Sequence, residues 1–217
     1  MKKINWPNLI AEFIVVLLGI LLAFQLNTCS AESQQKDTIQ THISALKEET
    51  AFNKTNLQTA IDLLSINENK LDSLMTYIST DGDLEKINTL SMELLNVGGA
   101  YSKSIAYKTL IESGDVRFLK DVTFKSETVN LYEYYEWVKS TDKIALESFN
   151  EQYFRYIKEN FDLLNEEPQP REVFSTKEYL NSLASYRYFI DMRRLRYEGC
   201  MLVIEKYIKR LNDKEVD

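Results

Sequence analysis

The 217-residue chain has one histidine, His42, and two cysteines, Cys29 and Cys200. These three side chains bound the chemistry it can carry. A Ser-His-Asp triad would need His42 as its base, and His42 sits in a coiled-coil-like helical stretch close to an apolar segment. A histidine metal site would need a second imidazole or a dominant set of carboxylates, and there is no second His. Two cysteines make neither a disulfide framework nor a metal site, so they read as independent thiols. A bridge between them would bring the N-terminal segment beside the last helix. The run Val97, Gly98, Gly99, Ala100 lacks the Lys and Ser/Thr of a phosphate-binding loop. No paired Glu-x-x-His motifs exist for a di-iron bundle. The sequence therefore predicts no enzyme, no cofactor and no metal.

Binding chemistry is better represented. Tyr132, Tyr134, Tyr135 and Trp137 put four aromatics into six residues, too many for one side of a helix. Core packing claims some of them, and a partner-binding face is the alternative for Tyr132, Tyr135 and Trp137. Arg187, Arg193, Arg194 and Arg196 give a basic centre to an otherwise acidic region. Pairing with acidic helices is the plain expectation; for Arg187, Arg193 and Arg194 an anion or acidic-partner patch is the sharper one. The pairs Glu48, Glu49 and Glu166, Glu167 read as solvated charge. The formal net charge is −7, and beyond Lys2, Lys3 and Glu12 the chain holds 24 basic and 32 acidic residues. A nucleic-acid partner is disfavoured, because phosphate binding needs a basic surface.

The elements that position these residues begin with Leu9–Leu26. These 18 residues span about 27 Å as a helix, close to one hydrocarbon thickness. Residues 1–8 read as a short cytoplasmic N-terminus and 9–28 as a transmembrane helix. Lys2 and Lys3 precede it and no basic residue follows before Lys36, which leaves the N-terminus in the cytoplasm and the C-terminal domain across the membrane. Trp6 suits the interface and Pro7 a first helical turn. A membrane with the C-terminal domain on its far side is the expected location. The alternatives are a cleaved signal peptide and a lipoprotein anchored at Cys29, although Asn27 and Thr28 fit a lipid-attachment box poorly. Glu12 and Gln25 are polar exceptions in the span. With Gly19 permitting close approach, they mark a candidate intramembrane contact between anchors.

Residues 29–217 read as one soluble helical domain. With six Gly and three Pro in the chain, helix breakers are few. Ile39, Ile43, Leu46, Thr50, Asn53, Leu57, Ala60, Leu64, Asn67, Leu71, Leu74 and Ile78 step alternately by four and three. They form a heptad seam with three polar interruptions. The pattern predicts a long helix over about 31–79, ended by Asp81, Gly82 and Asp83. Short helices follow over about 84–120, with Gly114 as a helix-stop glycine. A long helical region covers about 123–163, as one helix or two. A loop at 166–170 and a capping box from Ser175 to Glu178 introduce a last helix over about 175–212. The fold class is all-α: one N-terminal transmembrane helix, then an antiparallel helical bundle with a long membrane-proximal helix.

Two stretches carry a family resemblance. Glu12–Asn27 resembles the N-terminal signature of a bacterial family of small single-pass membrane proteins, typical of Bacteroidetes and known only as a domain of unknown function. Ala106–Gly114, then Leu119, Lys120 and Asp121, with Leu131–Tyr135 after them, resemble its second signature. The resemblance implies an uncleaved anchor and a helical domain, and no activity. It makes the expected location a bacterial inner membrane with a periplasmic domain. Cys29 departs from the pattern, which has Trp there; that weakens the lipoprotein alternative. The functional expectation is a membrane-anchored interaction or scaffold module with a protein partner or a second copy of itself. The alternative is an extracytoplasmic sensory or ligand-binding domain that signals through a partner.

Overall fold

The computed structural model describes residues 6–165 and 167–213, with side chains from Glu12 onward. Lys2, Lys3 and Glu166 lie outside the described residues. Among the described residues the secondary structure is helical, with no strand. The expected spanning helix and the expected long helix over 31–79 are one element, α1, running unbroken for 74 residues from Trp6 to Ser79. The reason is local: no Gly or Pro occurs between Gly19 and Gly82, so nothing interrupts the backbone ladder. The N-terminal part of α1 is long and apolar enough to cross a membrane, and none of its apolar window is buried. Every side chain from Glu12 to Asp37 is exposed, and Ile43 is the first buried one.

Asp81 takes a positive φ of 53° to turn the chain. Asp83 then caps α2 (Leu84–Glu93) by accepting from the backbone N–H groups of Glu85 and Lys86. α3 spans Ile105–Glu112 and stops at Gly114, whose φ of 75° is the left-handed conformation that ends helices. A single 3-10 turn, Asp115–Phe118, leads to α4 (Val122–Phe149), capped by Asp121 through the Phe124 N–H. The region after residue 122 is one helical course: α4 passes through a π-turn, Asn150–Phe154, into α5 (Arg155–Asn160). A short α6 (Arg171–Phe174) precedes α7 (Lys177–Asp213). The cap of α7 falls one residue later than the capping-box pattern places it. Thr176 Oγ1 accepts from the Tyr179 N–H at 3.1 Å, whereas Ser175 closes α6 and Glu178 faces Arg155.

α7 packs against both α1 and α4. Along α1, Lys54 meets Glu205 and Glu68 meets Arg187. Along α4, Asp121 meets Arg210, Asp142 meets Arg193, and Ser148 meets Ser185. Numbers rise on one helix as they fall on α7, so α7 runs against both. Side chains between them form a continuous apolar core that includes Leu46, Leu64, Leu71, Phe124, Leu131, Ile190 and Ile204.

The three polar residues of the α1 seam are all buried in this core. Thr50 bonds back to the Leu46 carbonyl within its own helix. Asn53 and Asn67 reach outward to the segment joining α2 to α3. Asn53 accepts from the Lys103 N–H at 2.7 Å and donates to the Lys103 carbonyl at 2.9 Å, copying a two-bond strand pairing with one side chain. Asn67 donates to the Asn96 carbonyl at 2.7 Å. A segment without secondary structure has its backbone polar groups to satisfy when it is buried, and α1 supplies partners. Replacing Asn53 by Leu strands both Lys103 groups. The expected loss of folding stability is about 2 kcal/mol, read from the shift in a chemical denaturation midpoint; a shift indistinguishable from zero would refute this role.

Candidate functional site

Among the described residues, four of the nine buried polar or charged ones, Glu49, Asn53, Asn67 and Arg193, converge on the joining stretch 94–106. Arg193 is 3% exposed and sits at the centre of α7. Its Nε donates to Asp142 Oδ1 at 2.9 Å, and its Nη2 donates to the Gly98 carbonyl at 2.8 Å and to the Tyr197 hydroxyl at 2.9 Å. Tyr197 donates in turn to Asp142. Asp142 Oδ2 accepts the Ala100 N–H at 2.9 Å. Gly98 holds a φ of 53°, and a Cβ there would sit 2.2 Å from Leu63 Cδ2. Gly99 lies against Asp142 and Arg193. The glycine pair therefore lets the backbone lie flat between α1 and the Arg193–Asp142 pair, a structural use and not a phosphate-binding one.

Glu49 extends this network, and the expectation of a solvated Glu48, Glu49 pair is corrected. Glu48 is exposed, but Glu49 is buried. It accepts from the Ala106 N–H in the first turn of α3 at 2.9 Å and from the Tyr132 hydroxyl. A carboxylate at a helix N-terminus satisfies an orphan donor and meets the positive end of the helix dipole. Burial, then the Glu49 carboxylate beside it, pushes the Tyr132 hydroxyl well above its ordinary range, so Tyr132 stays protonated and donates to Glu49. Tyr132 also stacks on Tyr107 with ring centres 4.2 Å apart. Residues 106–114, the second stretch of the family resemblance, are thus α3 itself with its stop glycine.

The tyrosines of the core do similar work at other chain ends. Tyr153 donates to the Ser91 carbonyl at 2.7 Å and Tyr186 to the Leu94 carbonyl at 3.1 Å. Both carbonyls lie at the C-terminal end of α2, where a helix leaves acceptors unpaired.

The sequence-derived partner surface does not form as one patch. Tyr132, Tyr135 and Arg193 are buried. Arg187 faces Glu68, Asp72 and Asp191, and Arg194 faces Glu68 and Ser65. These pairs tie α7 to α1, so the basic centre of α7 is matched by acidic residues of the same chain. Trp137 is 49% exposed, with the Arg196 guanidinium over its ring. Of the intramembrane candidates, Glu12 and Gly19 are seven residues apart and share a face of α1, while Gln25 falls on another face. A Cβ on Gly19 would meet nothing within 4 Å. Cys29 is exposed, Cys200 is buried, and both are free; burial pushes the Cys200 thiol up to about 12.

His42 is half-buried, and its Nε2 lies 3.0 Å from Asp115 Oδ2. This contact ties α1 to the 3-10 turn. Among the described residues, no His, Cys, Asp and Glu cluster is arranged to hold a metal ion. Two open clefts are present. One, of about 630 Å³, lies between α2 and the 161–168 loop and includes Met92 and Phe161. The other, of about 590 Å³, lies between α3 and α4 and includes Tyr101, Tyr107, Tyr132 and Tyr135. No family model, curated protein or solved structure matches this chain.

Two measurements test the network. Arg193→Met leaves Asp142 without its cation, and the expected loss is about 3–5 kcal/mol of stability. Adding Asp142→Leu to Arg193→Met is expected to restore part of that loss; a double variant showing the sum of the single effects would mean the pair is not coupled. Separately, the His42 hydrogen bond, followed by that from Ser113, lowers the Asp115 carboxyl below its ordinary 3.8. A depressed folded-state pKa gives stability that is present above the unfolded value and is lost as pH falls through the folded one. The stability difference between wild type and Asp115→Asn should therefore hold at neutral pH and vanish in acid below 3.8; thermal melts across that range read it.

Proposed function

We propose that this protein is a membrane-anchored helical interaction module, held at a bacterial inner membrane by one spanning segment, with its packed domain on the periplasmic side. The observation that carries the reading is the continuity of α1, which passes from a fully exposed apolar stretch directly into the seam of the core. An unpartnered apolar stretch of this length is readily accounted for by lipid. The domain beyond it is read as an antiparallel bundle of α1, α4 and α7, whose buried polar groups serve to hold the chain together. Lys2 and Lys3 favour a cytoplasmic N-terminus. The family resemblance agrees with an uncleaved anchor and adds no activity. A sensory role is the second reading. It is favoured by the same continuity, since a rigid helix shared by anchor and domain can carry motion between them.

Residues 27–37 form an exposed polar helix of about 16 Å between the apolar stretch and the packed domain. Cys29 lies in this neck and Cys200 is buried, so a membrane-impermeant maleimide reads topology through Cys29 alone. Labelling in intact cells with a permeable outer membrane is expected, and is expected to disappear in Cys29→Ser. Labelling only after lysis would reverse the orientation. A lipid on Cys29, seen in the mass of the mature protein, would replace the anchor by a lipoprotein. The interaction reading is tested by chemical crosslinking in native membranes followed by purification. A specific crosslinked protein, or a second copy, is expected; a strict monomer with no crosslinked product would overturn it.

A further inference from the structure

The face of α7 turned away from the core carries an apolar stripe over residues 188–202, which ends at the exposed Lys206. Tyr188, Leu195 and Leu202 are 62%, 72% and 70% exposed, and they are spaced by seven residues. Half-buried Met192 and Gly199 alternate with them, completing a three-four seam on the outside of the helix. A seam of this kind on a surface helix lacks a partner within the chain. Its flanks carry a charge pattern. On one side lie Asp191, Glu198 and Glu205; on the other lie Arg196, Val203 and Arg210.

We infer that this face pairs with the same face of a second copy of the chain, the two α7 helices lying side by side and parallel. Three observations fix the occupant and its direction. Two copies anchored by α1 in one membrane share an orientation, which excludes the antiparallel arrangement. In a parallel pair the residues opposite each other are the same, so Leu195 meets Leu195 and Leu202 meets Leu202, as a seven-residue repeat requires. The flanks are then complementary, because in parallel helices the acidic side of one copy faces the basic side of the other, five positions on. Asp191 faces Arg196 of the other copy, and Glu205 faces Arg210.

These charges are not idle in the single chain. Arg196 lies over Trp137, Arg210 meets Asp121 at 2.8 Å, and Asp191 lies 3.3 Å from Arg187. The internal contacts hold them in place beside the seam. Gly199 borders the seam on the side of α4, where a Cβ would meet the Tyr134 ring of the same chain at 3.7 Å. The inference rests on the membrane-anchored reading for its direction and names the partner that reading leaves open.

The test uses the full chain in native membranes, in a Cys29→Ser background. Leu195→Cys is expected to form a disulfide-linked dimer rapidly under mild oxidation. Lys143→Cys, exposed on the outer side of α4, is expected to remain a monomer under the same treatment. The second variant is Leu195→Glu, which puts like charges against each other beside Asp191 and Glu198. Because Leu195 is already exposed, the melting curve of the detergent-solubilised monomer should be unchanged, while dimer affinity by analytical ultracentrifugation falls at least about tenfold. Equal crosslinking at residues 195 and 143, or a dimer unaffected by Leu195→Glu, would overturn the pairing. A wild-type chain that is monomeric yet crosslinks to a different protein would overturn it too, while leaving the interaction module standing.

Discussion

The fold depends on how the segment between α2 and α3 is held. This stretch has no ladder of its own, and it lies along α1, α4 and α7 with Leu94 and Val97 buried and Asn96, Gly98, Gly99 and Tyr101 exposed. Every buried N–H and carbonyl there needs a partner, since an unpaired one costs about as much as a lost hydrogen bond. α1 answers with Asn53, Asn67 and Glu49, α7 with Arg193, Tyr186 and Tyr197, and α4 with Asp142. The three long helices are thereby joined through a common strap as well as through apolar contact. Two of the three polar positions that weaken the seam of α1 as a coiled coil, Asn53 and Asn67, hold the strap in register.

This arrangement also explains the chain's composition. Eight of the thirteen tyrosines are buried, an unusual choice for a helical core, because each brings a hydroxyl that needs a partner. Four of these hydroxyls reach the ends of short helices or the groups that cap them. Tyr153 and Tyr186 meet the end of α2, Tyr156 meets the Val173 carbonyl beside the start of α7, and Tyr132 shares Glu49 with the start of α3. Phenylalanine would fill the same volume and leave these backbone groups unpaired. The surface ion pairs of Arg187 and Arg194 add direction more than stability, since half-exposed pairs contribute little.

Helical periodicity made the long elements legible in the sequence. The three-four spacing from Ile39 to Ile78 marks the buried face of α1, and Gly114 stops α3 through its left-handed conformation. The polar interruptions were visible too, but not their purpose, because their partners lie far along the chain: Asn53 pairs with Lys103 and Glu49 with Tyr132. Spacing within one helix cannot announce a contact made 50 or 83 residues away. For the same reason the Glu48, Glu49 pair looks like surface charge, and the four clustered aromatics look like a possible binding face. Which of Tyr132, Tyr135 and Trp137 is buried depends on where α3 and α7 lie, and neither is encoded in the cluster itself. The break between anchor and domain was expected because composition changes there, but the backbone has no reason to stop where hydropathy does.

That last point has a mechanical consequence. A flexible linker would let the domain tumble whatever the membrane segment does. In the anchored reading proposed above, the exposed apolar helix and the core helix are the same rod, so the domain has no orientation independent of the anchor. From Asn27 to Ser79 the rod extends about 80 Å, and a tilt of about 10° at the bilayer sweeps its tip through about 14 Å. Bilayer thickness, or a neighbour that leans on the anchor, would thus be read out as a large displacement far from the membrane. In that reading the chain is a lever whose fulcrum is the lipid surface.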